Sequence, residues 1–116
     1  MKIAILLPFK DTYTKDKAGS ASIWVKDFIK KSKYKSKIFI YGYIKNLKKK
    51  NLINQKNYIN IEYNFDFYFG SKNKKYVEIF NKLIKDKKIN LVELHNRPNY
   101  INYLDENLNV IKKISL

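Results

Sequence analysis

The run IAILL at residues 3 to 7 leaves this chain few ways to fold. It is continuously apolar, so neither face can be turned to water, and Pro8 ends it because proline has no N–H for a further ladder bond. A strand buried on both faces belongs to a parallel sheet with helices packed on each side. The next segments fit. After a polar stretch at 8–19, Ala21, Trp24, Val25 and Phe28 recur at helical spacing from Ser20 onward, with Ile29 widening the stripe. Lysines crowd the end of that helix, where they suit its negative pole, and KIFIYGY at 37–43 supplies a second strand.

The lysine-rich stretch 45–57 reads as an exposed loop or short helix, and YINIEYNF at 58–65 as a third strand nearer the sheet edge. Ser71 is placed to cap a helix running to about Lys87, with Tyr76, Phe80, Leu83 and Ile84 on one face. INLVEL at 89–94 is the fourth strand. Pro98 then opens another helix at its first turn, with Ile101, Leu104 and Leu108 inward, and the closing VIKKISL begins a fifth strand. Strands alternating with amphipathic helices predict an α/β fold: a Rossmann-like three-layer sandwich over residues 1–116, with a mostly parallel sheet of four or five strands.

Composition narrows the chemistry. At 116 residues the chain supports one core, and 45% hydrophobic residues are enough to build it. No cysteine is present, so disulfides, thiolate nucleophiles and cysteine-bound zinc are excluded. One histidine and scattered acids give no metal-ligand spacing, so neither metal nor cofactor is expected. The net charge of +15 attracts polyanions in general. Lys, Asn, Ile, Tyr and Phe dominate together, however, and all have A/T-rich codons, while the lysines are scattered without a periodic stripe. Nucleic acid is therefore not the expected partner. The opening MKIAILLPFK is too short and wrongly flanked for a signal peptide, and the expected location is the cytoplasm.

Strand order 3-2-1-4 makes the first and fourth strands neighbours at the topological switch point, where open α/β sheets bind ligands beyond the carboxyl ends of their strands. The loops leaving those ends are 8–19 and 95–98. The second holds HNRP, which contains the chain's single histidine and single arginine. His95 can hydrogen-bond a substrate hydroxyl or act as a base, and Arg97 offers a planar fork for phosphate or carboxylate. Asn96 is suited to cap or turn into the helix that Pro98 begins. Gly19 and Ser20, at the start of the first helix, offer close approach and free N–H groups to an anion. Lys10, Asp11 and Asp16 lie in the same loop, and Glu93 is read as an edge or water-facing position. G-x-G-x-x-G, the P-loop and G-x-S-x-G are all absent, which argues against dinucleotide, NTPase and α/β-hydrolase chemistry.

Taken together, KIAILLPF, AGSASIWVKDF and VELHNRPNYINYL resemble the N-terminal domain of a GT-B glycosyltransferase of the family 4 type. The resemblance implies an acceptor-side domain facing a second, donor-binding domain across a cleft. It implies transfer of a hexose from a nucleotide-sugar, without a required metal, to an envelope glycan or lipid-linked acceptor. Gly19 and Ser20 match the loop near the donor diphosphate, His95 matches a histidine reaching the transferred sugar, and Asn96 and Arg97 would line the cleft. The donor domain and the end of the N-terminal domain are missing from these residues, so the chain alone is expected to be inactive. Its expected partners are a separate donor-binding domain or a second copy of itself, and an anionic membrane surface at the inner face. The competing expectation is a non-catalytic basic module that binds nucleic acid or anionic membrane.

Overall fold

The computed structural model describes residues 1–115. Its framework is a five-stranded, wholly parallel sheet in the order β3-β2-β1-β4-β5, formed by β1 (Ile3–Leu6), β2 (Ile38–Gly42), β3 (Tyr58–Asn60), β4 (Leu91–His95) and β5 (Ile111–Ser115). Helix α1 (Ser20–Lys31) links β1 to β2, and α2 (Lys72–Ile84) precedes β4. The expected α/β sandwich, its strand order and its switch point between β1 and β4 are all present.

The pleat divides the core into two layers. Ile3, Ile5 and Leu7 point toward α1, where they meet Val25, Ile29, Ile38 and Ile40. Ala4 and Leu6 point the other way, toward Tyr76, Phe80 and Ile84 of α2 and Val92 and Leu94 of β4. Every residue of β1 is buried, which is why its sequence shows no alternation. Ser71 caps α2 by accepting the Lys74 N–H at 3.1 Å, and α2 ends at Ile84 rather than near Lys87.

Other departures have local causes. β3 ends at Asn60, not Phe65, because the Asn60 side chain replaces the ladder: its Oδ1 accepts the Ile44 N–H at 2.8 Å and its amide donates to the Ile44 carbonyl at 3.1 Å. Pro98–Tyr103 is a 3₁₀ helix. Its tighter period turns Tyr100 fully inward and leaves Ile101 exposed, against the expected 3.6-residue face. On α1, Ala21, Ser22, Val25 and Ile29 form the buried face, so Trp24 stands half exposed at its margin.

Two buried tyrosines fix the chain leaving β1. The Tyr76 hydroxyl donates to the Leu7 carbonyl at 2.7 Å, and Tyr100 accepts the Phe9 N–H at 3.1 Å while donating to Asn73 Oδ1. The loop that opens the switch point is thereby anchored to α2 and to the 3₁₀ helix.

Candidate functional site

Ser20, Ala21, Trp24, His95, Asn96 and Ser115 line a cleft of about 380 Å³, within the size range of small-ligand pockets. It lies where the start of α1 overhangs the carboxyl end of β4. Ser20, His95 and Asn96, singled out from the sequence, are thus brought together, with Gly19 adjacent at the helix start.

Register explains the cleft's polar floor. Glu93 and His95 are two apart on β4 and share the face toward α1, opposite Val92 and Leu94. β5 adds Lys113 beside Glu93 and Ser115 beside His95. Glu93 is 2% and His95 3% exposed, so the water-facing position expected for Glu93 is corrected to a buried one. The Ser115 hydroxyl donates to Glu93 Oε1 at 2.6 Å, and Lys113 Nζ lies 3.5 Å from the same oxygen. His95 Nε2 lies 3.6 Å from Glu93 Oε2, beyond hydrogen-bond length, and this buried nitrogen has no hydrogen-bond partner. Burial by itself raises the Glu93 carboxyl. The contacts to His95 and Ser115, with the charges of His95 and Lys113, outweigh it and bring the group down to about 2. Above the floor, the Trp24 ring sits 4.9 Å from the imidazole, tilted by 49°.

The start of α1 differs from a free anion site. Asp11 reaches across from the loop: its carboxylate accepts the N–H groups of Ala21 at 3.0 Å and Ser22 at 3.3 Å, and the Ser22 hydroxyl as well. Two first-turn amides beside Gly19 and Ser20, those of Ala21 and Ser22, are therefore already paired with the chain's own carboxylate. Gly19 has a structural reason here, because a Cβ at this position would come within 2.6 Å of the Asp11 carboxyl.

Asn96 makes the turn out of β4 in the left-handed region, at φ 56°, a conformation asparagine tolerates. Its N–H donates to the Ser115 carbonyl at 2.8 Å. It does not cap the following helix, whose capping position is taken by Arg97 without a side-chain bond. Arg97 is exposed, and its guanidinium donates to the Asn96 carbonyl at 2.7 Å. Among the described residues, no group of three or more acidic or histidine side chains is gathered as a metal site.

Sequence reading missed Asp11 as a helix cap, Ser115 and Lys113 as partners of Glu93, and Trp24 as a wall of the cleft. No helix among the described residues is long and apolar enough to cross a membrane. Comparison with family models, curated proteins and solved structures gave no match.

Proposed function

We propose that this chain is the acceptor-side domain of a two-domain glycosyltransferase, acting in the cytoplasm with a donor-binding domain on this or another chain. The observation that carries the reading is the convergence of Ser20, His95 and Asn96 on one cleft at the switch point, with Trp24 as its apolar wall. In the transfer, the bond between the anomeric carbon and the diphosphate oxygen breaks. A bond from the acceptor hydroxyl oxygen forms, and the hydroxyl proton leaves with the nucleoside diphosphate.

In this reading, His95 positions the sugar through a hydrogen bond to one of its hydroxyls. With Nε2 turned toward Glu93, Nδ1 is the nitrogen left for that contact. Glu93 acts through His95: its carboxylate, 3.6 Å from Nε2, attracts that side of the ring electrostatically without a hydrogen bond, so it is a positioning residue. The start of α1 offers little to a departing diphosphate, because Asp11 already meets two of its amides and its positive pole. That task falls to the donor-binding domain, without which residues 1–116 are not expected to transfer sugar.

Trp24 is the single tryptophan, so its emission reports the cleft directly. Titration with hexosides and nucleotide-sugars should change Trp24 fluorescence in a saturable way that His95→Ala weakens about tenfold or more, since a hydrogen bond in a desolvated site is worth about 1.5 kcal/mol. Released nucleoside diphosphate should appear only when a donor-binding domain is added. A flat fluorescence response across the whole panel, or equal responses from wild type and His95→Ala, would defeat the proposal.

A further inference from the structure

A second feature projects from the same edge of the sheet, between β3 and α2. Phe69 is 100% exposed and Phe67 is 76% exposed. Their base is fixed: Phe65, between β3 and these rings, is buried against Phe9 at 4.8 Å, Tyr43 at 4.8 Å and Tyr63 at 5.0 Å. Exposed apolar residues are normally scattered singly. Two bare phenyl rings two residues apart, mounted on an anchored turn, form a contact surface.

The charge beside them points to the partner. Lys72, Lys74 and Lys75 occupy the first turn of α2, which carries no acid, although this is the positive end of the helix dipole and repels them. Lys75 also lies 5.1 Å above the Tyr63 ring and 5.6 Å above that of Tyr68. The acids in this segment are already engaged: Asp66 pairs with Lys45, and Glu62 accepts from the Asn60 amide at 2.9 Å. An unfavourable gathering of cations beside two exposed rings becomes favourable against a surface that is both anionic and oily.

We propose that this segment is a membrane-docking element: Phe67 and Phe69 enter the acyl boundary of an anionic bilayer while Lys72, Lys74 and Lys75 meet its headgroups. A bilayer fits better than a single-stranded nucleic acid. A stacking platform keeps one ring face on the protein, whereas Phe69 has both faces in water, and the segment lacks the arginine that commonly accompanies base stacking. Because all strands run parallel, the carboxyl ends of β3 and β4 share one edge, three strand spacings or about 14 Å apart. Docking would hold the cleft of His95 near the membrane surface. The exposed rings and lysines would make this contact whether or not the cleft takes a sugar.

The test is co-sedimentation of the full chain with phosphatidylcholine vesicles, with and without phosphatidylglycerol, and a parallel titration with a single-stranded oligonucleotide. Wild type should partition onto the anionic vesicles. Phe67→Ser and Phe69→Ser should each weaken partitioning about tenfold, the order expected for withdrawing one buried phenyl. Lys72→Gln with Lys74→Gln should weaken it as well, and Lys30→Gln with Lys31→Gln, at the far end of α1, should leave it unchanged. Circular dichroism checks that these surface variants stay folded. Equal partitioning of wild type and the double phenylalanine variant, equal losses from both lysine pairs, or ring-dependent oligonucleotide binding without vesicle binding would each overturn the proposal.

Discussion

Replacing Gly19 with alanine tests whether the start of α1 is built around Asp11. The Gly19 backbone lies at φ −77° and ψ 176°, an extended conformation open to any residue, so alanine brings no backbone strain. The added methyl would instead sit 2.6 Å from the Asp11 carboxyl. Asp11 must retreat and release the N–H groups of Ala21 and Ser22 and the Ser22 hydroxyl. Losing such a cap costs about 1 kcal/mol, and giving up its favourable charge at the helix start adds about 0.5–1 kcal/mol. The total is about 2 kcal/mol. With an unfolding entropy of about 2.1 cal/mol/K per residue over 116 residues, Tm should fall by about 8 °C. Asp11→Ala should cost a similar amount, measured by urea unfolding followed by circular dichroism. In the Asp11→Ala background the alanine at position 19 has nothing left to displace. It should then be neutral, or stabilise by about 0.5 kcal/mol through the less flexible unfolded chain. A Gly19→Ala cost that persists undiminished without Asp11 would refute the reasoning.

Three further outcomes follow from the same geometry. Tyr100→Phe leaves the buried Phe9 N–H without its acceptor and Asn73 without its donor, so urea unfolding should show a loss of about 1–3 kcal/mol; an unchanged midpoint would show that water replaces the hydroxyl. Asn96→Val places a β-branched residue at φ 56° and should cost about 1–2 kcal/mol, whereas Asn96→Gly should be close to neutral; equal costs would exclude the backbone explanation. Glu93 has a folded pKa of about 2 against an ordinary 4.5, so its contribution is present above pH 4.5 and lost as pH falls toward 2. Relative to Glu93→Gln, wild type should lose about 3 kcal/mol across that window, and parallel stability curves for the two proteins would contradict the buried, charge-stabilised carboxylate.

How much of this was legible depends on the distance over which each residue finds its partner. IAILL and the stripes of the two helices announce the sandwich because each pattern is local to its own element. The pairing of Glu93 with His95 was also within reach, since two-residue spacing in LVELH sets them on one face, opposite Val92 and Leu94. What closes over them was not: Ser115 and Lys113 enter only because β5 pairs beside β4, and nothing inside IKKIS says which strand it will join. The 3₁₀ period of Pro98–Tyr103 was hidden for a different reason. Tyr100 lies in a segment whose apolar residues also fit a 3.6-residue face, and its contacts to Phe9 and Asn73 decide between the two.

Asp11 is the most instructive miss, because it changes what Gly19 and Ser20 mean. Read alone, a glycine and a serine before an apolar helix suggest a cradle for a ligand's phosphate. In the folded chain the glycine makes room for a carboxylate from ten residues upstream of the amides it caps, and that carboxylate cancels the positive end of α1. A second anion brought to Ser20 would meet a negative neighbour rather than a free dipole, so this end of the cleft favours a neutral, hydroxyl-bearing group. Trp24, His95 and Ser115 around it are suited to such a ligand, with apolar area on one side and hydrogen-bonding groups on the other. The balance of charge at this end of the cleft thus disfavours a second anion and leaves room for a neutral, hydroxyl-bearing group, a preference set by Asp11 as much as by His95.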